Sequence, residues 1–174
     1  WTEALADRGF PCPRPIRTQS NALVTTLPSG RPVSLVTWID ATPIGESGVA
    51  FDGPLTQQCA LYEQLGALMA KLHETTEQIE TGHLDRPRWD IDGLLGADPL
   101  WGRFWQNPAL TEGERNLLQK ARKNSAQQLF EINNLDAGLI HADLVRENVM
   151  ADGDNLQFID FDDAGFGFRI FDLA

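Results

Sequence analysis

One segment near the end of the chain constrains the fold more than any other. Short β-prone runs at 138–141 and 148–151 are followed by the polar turn 152–155 and by a third β-prone run at 156–160. Such runs around a turn rich in Asp, Gly and Asn predict short strands that meet in a hairpin. The segment therefore predicts a small β structure with polar residues at its ends.

The polar residues of this segment have a fixed order and spacing. His141, Asp143 and Asn148 form a His-x-Asp-x-x-x-x-Asn pattern, and Asp160 follows twelve residues after Asn148. A carboxylate can orient a hydroxyl and accept its proton, and amide and carboxylate oxygens are ligands that Mg²⁺ accepts. Taken singly, these residues are ordinary turn, cap or strand-end residues. As an ordered set on a hairpin, they predict a catalytic base, Asp143, and two metal ligands, Asn148 and Asp160.

This stretch resembles the catalytic loop and metal aspartate of the aminoglycoside phosphotransferase and choline kinase-like family, whose members are relatives of protein kinases. The resemblance implies ATP- and Mg²⁺-dependent transfer of the γ-phosphate to a hydroxyl of a small molecule, with Asp143 as the base. It also implies that His141 supports the loop backbone and is not itself a base. Asp162 either assists the metal site or is an ordinary loop residue.

The residues that would contact the nucleotide are less well defined. Arg146 lies inside the loop, where a guanidinium could bind phosphate or pair with Glu147 or Asp152. The resemblance places Trp38 and Ile39 at the hinge that meets adenine. The alternative for Trp38 is an ordinary core or turn aromatic.

The first half of the chain changes from β to helical character. Runs 22–27 and 33–39 around a Pro-Ser-Gly turn predict a hairpin. After a loop rich in Gly and Pro, apolar residues recur at steps of three and four from Leu55 to His73, which predicts a core helix.

The middle of the chain contains a loop-rich part and a second helix. Residues 81–108 combine many Gly and Pro with Trp and Phe, and they predict loops and short helices packed by aromatic rings. Thr111 and Glu114 fit a capping box, which predicts a helix from there to about Asn133.

Together these elements predict an α+β, protein-kinase-like two-lobe fold. Residues 1–40 would form the end of the N-lobe sheet and the hinge, and residues 41–174 a mainly helical C-lobe with the catalytic hairpin. Segments 65–73 and 163–174 are similar to the family's helix beneath the catalytic loop and to the stretch after the metal aspartate. The glycine-rich loop and phosphate-binding lysine of kinases cannot be placed in the chain. We therefore expect a fragment that lacks the C-terminal helices and binds ATP poorly by itself.

Composition excludes several classes of partner. A net charge of −11 argues against a nucleic-acid or anionic-membrane surface, which needs a basic face. The two cysteines lack metal-type spacing, and no apolar run reaches the about 18 residues of a membrane span. The sequence predicts a reduced, cytoplasmic protein and leaves the oligomeric state open.

The acceptor is left open among several small molecules. Within the resembling family, homoserine, choline or ethanolamine, hydroxylysine and aminoglycosides are candidates, and the run Asp162–Ala164 favours the homoserine, hydroxylysine and stress-response kinase branch. The alternatives are a protein Ser/Thr kinase of the same fold, a catalytically inactive kinase-shaped binding module, and a metal-dependent phosphohydrolase.

Overall fold

The computed structural model of the chain describes residues 1–173. These residues form two compact units. The first unit consists of Trp1–His83 and Asp143–Asp162, and the second of Leu84–Ala142 and the described residues from Asp163 on. The predicted base and metal ligands all belong to the first unit.

Short strands and α-helices are interspersed along the described chain. The helices are α1 (Thr2–Asp7), α2 (Leu55–Glu77), α3 (Ile91–Leu95) and α4 (Glu112–Glu131). The strands are β1 (Thr25–Thr26), β2 (Pro32–Val33), β3 (Thr42–Pro43), β4 (Arg88–Trp89), β5 (Ala137–Ile140), β6 (Val149–Asp152), β7 (Asn155–Phe158) and β8 (Gly165–Phe168). Short 3₁₀ helices cover Phe104–Gln106, Arg146–Asn148 and Arg169–Leu173. This mixture confirms the predicted α+β class.

The sheets are small and mostly antiparallel. In the first unit β1 pairs with β2, and the order β3-β6-β7 places Thr42 opposite Ala151 and Val149 opposite Phe158. In the second unit β8 lies between β4, which runs parallel to it, and β5, which runs antiparallel. The hairpin predicted for the catalytic segment is therefore β6–β7.

The core of the first unit lies between α2 and the β6–β7 hairpin. Its buried residues come from α1, the segment after it, α2, β6 and β7: Leu5, Phe10, Met69, Leu72, Val149, Leu156 and Phe158. The predicted core helix is thus confirmed. Its fully buried residues lie in the second half, whereas Leu61 and Leu65 are half-buried against the core and Leu55 and Tyr62 are exposed.

The second unit is packed by aromatic rings, as its sequence predicts. Trp89 is 1% exposed, and its ring centroid lies 4.9 Å from that of Trp101 and 5.8 Å from that of Phe171. Gly167 of β8 passes so close to Trp89 that an added Cβ would lie 2.6 Å from the Trp89 Cβ. A larger residue at this position would push β4 away from β8.

Most predicted elements are present with shifted ends. The hairpin predicted from runs 22–27 and 33–39 is confirmed, but its strands have two residues each. The capping box of α4 is confirmed, with Thr111 Oγ1 accepting a hydrogen bond from the Glu114 amide. Neither α1 nor β8 was predicted. Within residues 1–173, no helix has the length and apolar character needed to cross a membrane.

Candidate active site

The β6–β7 hairpin brings Asn148 and Asp160 to the same end of one ladder. The amide of Ile159 donates to the carbonyl of Asn148 at 3.0 Å, which extends the pairing by one position beyond Val149 and Phe158. Val149 and Phe158 are both fully buried, so the core fixes the register at this end. Asp160, the next residue after Ile159, is therefore held close to Asn148.

The predicted base is held by the predicted metal ligand. The side-chain amide of Asn148 donates to the Asp143 carboxylate Oδ2 at 2.9 Å and to the Asp143 backbone carbonyl at 2.9 Å. Asn148 is 8% exposed, which shields both hydrogen bonds from water. This contact closes the loop between the two residues and orients the carboxylate.

The donor set at this end of the hairpin fits a hard divalent cation. Asn148 offers an amide oxygen and Asp160 a carboxylate, and Mg²⁺ binds through one or two carboxylates while keeping several waters. Among residues 1–173 no group of three or more His, Cys, Asp or Glu side chains forms a metal cluster. A thiolate or imidazole site of the zinc type is thus not what the described residues offer here.

The backbone has a left-handed conformation at both ends of the segment 142–160. Ala142 has φ 68° and Asp160 has φ 60°, and both are non-glycine residues in the left-handed region. Each such residue costs about 1–3 kcal/mol and persists only where its surroundings hold it. These two corners direct the chain into and out of the residues that carry the predicted chemistry.

A carboxylate of the second unit holds the backbone just before Asp143. Asp172 is 5% exposed, and its oxygens accept from the amides of His141 at 3.2 Å and Ala142 at 2.8 Å. His141 is completely buried, as expected of a residue that supports the loop. Sequence reasoning missed the role of Asp172. The signal that could have shown it was an acidic residue inside the apolar run 168–173.

Two residues between Asp143 and Asn148 hold a distant loop. The Glu147 carboxylate accepts from the backbone amide of Ser47 at 2.5 Å and from its hydroxyl at 2.9 Å. These hydrogen bonds, led by the one from the Ser47 amide, hold the pKa of Glu147 below its usual value. Arg146 lies with its guanidinium carbon 4.6 Å from the ring centroid of Phe51. Neither contact was predicted.

The remaining predicted site residues are Trp38, Ile39 and Asp162. Trp38 is 90% exposed, so it is not a core residue of the described chain, and the alternative of a turn aromatic stays open. Ile39 is half-buried. The hinge role of both residues, and a role of Asp162 in metal binding, stay predictions.

Comparison with known protein families shows which family the chain belongs to. The chain matches the profile of the Phosphotransferase enzyme family over residues 1–174. The chain belongs to this family. It is 31% identical over 154 residues to the homoserine kinase of Methylobacillus glycogenes, covering 87% of this chain and 42% of the relative. It is also 31% identical over 180 residues to the homoserine kinase of Janthinobacterium sp., covering 98% of this chain and 48% of the relative.

Solved structures of kinases share the fold of this phosphotransferase-family chain. A microcompartment-associated aminopropanol kinase superposes with a TM-score of 0.75 at 28% identity, covering 99% of this chain and 54% of the other. An amicoumacin kinase in complex with AMP-PNP, Ca²⁺ and Ami superposes with a TM-score of 0.69, at 19% identity over 99% of this chain and 49% of the other. The second likeness shows the fold alone. Both confirm the kinase-like fold predicted from the sequence, and the chain spans about half the length of the curated relatives it matches.

Proposed function

We propose that this chain carries the catalytic base and metal ligands of an ATP-dependent kinase that phosphorylates a hydroxyl of a small amino alcohol. The observation that carries the proposal is the hydrogen bond from Asn148 to the Asp143 carboxylate. Phosphoryl transfer needs little covalent chemistry from the protein, so a correctly oriented carboxylate beside oxygen ligands is the essential equipment.

Asp143 has the role of general base in this proposal. It accepts the hydrogen bond of the acceptor hydroxyl and takes its proton as the oxygen bonds to the γ-phosphorus of ATP and the bond between that phosphorus and ADP breaks. Because Asn148 already holds one carboxylate oxygen, Asp143 is oriented before the acceptor arrives. The left-handed Ala142, whose amide is bound by Asp172, sets the direction of the chain at this point.

Asn148 and Asp160 are the residues that would hold Mg²⁺. The nitrogen of the Asn148 amide is bound to Asp143, so its carbonyl oxygen is the atom suited to a cation. When bound, the ion would neutralise charge on the phosphates of ATP. Trp38 and Ile39 at the adenine, and Arg146 at the phosphates, stay predictions, as does the cytoplasmic location.

The relatives support a small amine-bearing acceptor. Two of them are named homoserine kinases and one an aminopropanol kinase, and both names describe molecules that carry an amine and a hydroxyl. The net charge of −11 suits a cationic acceptor. L-homoserine and 1-amino-2-propanol are therefore the first acceptors to test.

The test combines turnover and binding. Both are measured on the full-length protein, in which ADP release should require Mg²⁺ and one member of a panel of L-homoserine, 1-amino-2-propanol, ethanolamine and choline. We expect Asp143→Asn to lower kcat by about 10²–10⁴-fold while Mg·AMP-PNP binding by calorimetry is retained. Asp160→Asn should remove the Mg²⁺-dependent part of nucleotide binding.

Asp154→Asn is the matched control, since this exposed carboxylate lies in the turn of the same hairpin. It should leave turnover and nucleotide binding unchanged. Full turnover by Asp143→Asn would remove Asp143 as the base. An absence of Mg²⁺-dependent nucleotide binding would contradict the kinase proposal as a whole, and nucleotide binding without ADP release from any member of the panel would favour a protein acceptor or an inactive binding module.

A further inference from the structure

A loop that follows β3 is bound to the catalytic hairpin. We call residues 44–53 the 44–53 loop. At its start the amide of Ile44 donates to the carbonyl of Val149 at 2.9 Å, and in its middle Ser47 donates twice to Glu147. Further along, Phe51 lies beneath the guanidinium of Arg146. The loop is thus held at three places by the segment that also carries Asn148.

The 44–53 loop, the start of α2 and Arg146 enclose a pocket of about 370 Å³. This volume lies within the range of about 300–1,000 Å³ that is typical of small-molecule sites. All of its lining residues belong to the first unit. Its polar lining comprises Glu46, Asp52, Gln57, Gln58 and Arg146.

The lining combines opposite charges with a short apolar wall. Glu46 and Asp52 bring two carboxylates, and among the described lining residues Arg146 is the one cation. Ile44 and Leu61 supply aliphatic surface. Because the carboxylates outnumber the guanidinium, the pocket favours a cationic group over a phosphate. A short aliphatic ammonium compound satisfies both the charged and the apolar part of this lining.

The pocket wall and the predicted base belong to one hydrogen-bonded loop. Arg146 is two residues before Asn148 in the same 3₁₀ helix, and Asn148 donates to Asp143. Glu147, the residue after Arg146, is joined to Ser47 of the 44–53 loop by two hydrogen bonds. The pocket wall at Arg146 is therefore connected to Asp143 through Asn148 within one unit.

We propose that this pocket binds the ammonium group of the phosphate acceptor, a short aliphatic amino alcohol, and that Glu46 and Asp52 are its counter-charges. The inference rests on the proposed kinase function and specifies which part of the molecule recognises the acceptor. Glu147 is a positioning residue here, since it acts by fixing Ser47 and touches neither substrate nor metal in this proposal.

The first experiment measures binding without nucleotide. The affinity of the purified protein for 1-amino-2-propanol and for the isosteric 1,2-propanediol is determined by ligand-observed NMR titration. The wild type should prefer the amine by about tenfold or more, since hydrogen bonds between charged groups are the strong ones. The double variant Glu46→Gln, Asp52→Asn should lose about tenfold of that preference.

A matched control and a kinetic readout separate recognition from folding. Glu63→Gln changes an exposed carboxylate of α2 that does not line the pocket, and it should keep the preference for the amine. In turnover, the double variant should raise KM for the amino alcohol about tenfold, while kcat and KM for Mg·ATP stay within about twofold.

Two results would overturn the inference. If the double variant raises KM for Mg·ATP and leaves that for the acceptor unchanged, the pocket belongs to the nucleotide. If the wild type binds the diol as well as the amine, the carboxylates do not recognise an ammonium group. Both are distinct from failure of the kinase proposal, which would appear as missing Mg²⁺-dependent AMP-PNP binding, whereas the NMR comparison needs no nucleotide.

Discussion

The first unit contains two hairpins that have similar turns and differ in strand length and burial. Both turns include a glycine with positive φ, Gly30 at 82° and Gly153 at 56°. The β1–β2 hairpin pairs two residues per strand, all exposed, whereas β6–β7 pairs four and buries Val149 and Phe158 against the core. Turn residues thus predict where a hairpin forms, and contact with the core decides how far its strands extend.

The proposed metal ligands lie on the hairpin that packs against the core. Asn148 and Asp160 flank the buried pair of Val149 and Phe158, so their separation depends on a register that cannot slip without exposing both side chains. The β1–β2 hairpin has no comparable restraint. Two pairs of matched variants test this difference, and a fifth variant tests the attachment of the 44–53 loop.

Phe158→Ala should produce the largest effect. Removing a completely buried ring leaves a cavity and should lower the free energy of unfolding by about 3–5 kcal/mol. Val33→Ala in β2 is the matched control, because Val33 is 39% exposed and its loss should cost no more than about 0.5 kcal/mol. Urea denaturation of both variants measures the two values, and equal losses would refute the contrast between the hairpins.

Replacing the turn glycines by alanine should lower stability by less than Phe158→Ala does. The loss should be global for one turn and local for the other. Neither Gly153 nor Gly30 has an atom within 4 Å of an added Cβ, so the cost is backbone strain alone, about 1–2 kcal/mol. Gly153→Ala should lower global stability by about that amount. Gly30→Ala should instead increase amide exchange near β1 and β2 only, because this hairpin can open without disturbing the core.

Hydrogen exchange and urea denaturation together distinguish these outcomes. A global loss of stability in Gly30→Ala, equal to that in Gly153→Ala, would show that both hairpins unfold with the core. Unchanged global stability in Gly153→Ala would show that the turn of the catalytic hairpin opens independently.

The smallest effect concerns pH. The hydrogen bonds from Ser47 lower the pKa of Glu147 in the folded chain, so the contact stabilises the 44–53 loop above the usual pKa of 4.5 and is lost as pH falls through the lowered value. Ser47→Ala removes the hydroxyl donor but keeps the backbone amide. The pKa of Glu147 should therefore rise part of the way to its usual value. NMR titration of the Glu147 carboxyl carbon measures it, and an unchanged titration would show that the hydroxyl contributes nothing.

Local patterns allowed part of this structure to be predicted. The capping box of α4 depends on residues three positions apart, and the catalytic hairpin on a turn between two β-prone runs, so both are visible in the sequence. The order of Asp143, Asn148 and Asp160 predicted which residues meet, and the structure places the first two in direct contact.

The contacts that were missed join residues far apart in sequence. Ser47 and Glu147 are separated by 100 positions, and Ala142 and Asp172 by 30. Nothing in the local composition of either partner indicates the other. The strand β8 was missed for a different reason, since its two glycines disfavour a strand. They are explained by close neighbours: an added Cβ would lie 2.5 Å from the Pro87 carbonyl oxygen at Gly165 and 2.6 Å from the Trp89 Cβ at Gly167.

The attachment of the 44–53 loop determines which substitutions the fold tolerates there. Ile44 packs against the hydrophobic core, but most of the loop after it is exposed and is held through Ser47 and Phe51, whereas the proposed base and metal ligands lie beside strands that the core holds. Substitutions in the exposed part of the loop therefore carry little penalty for folding. Under the proposed function, a substitution of Glu46 or Asp52 can change the acceptor that is recognised while the proposed base and metal ligands are retained.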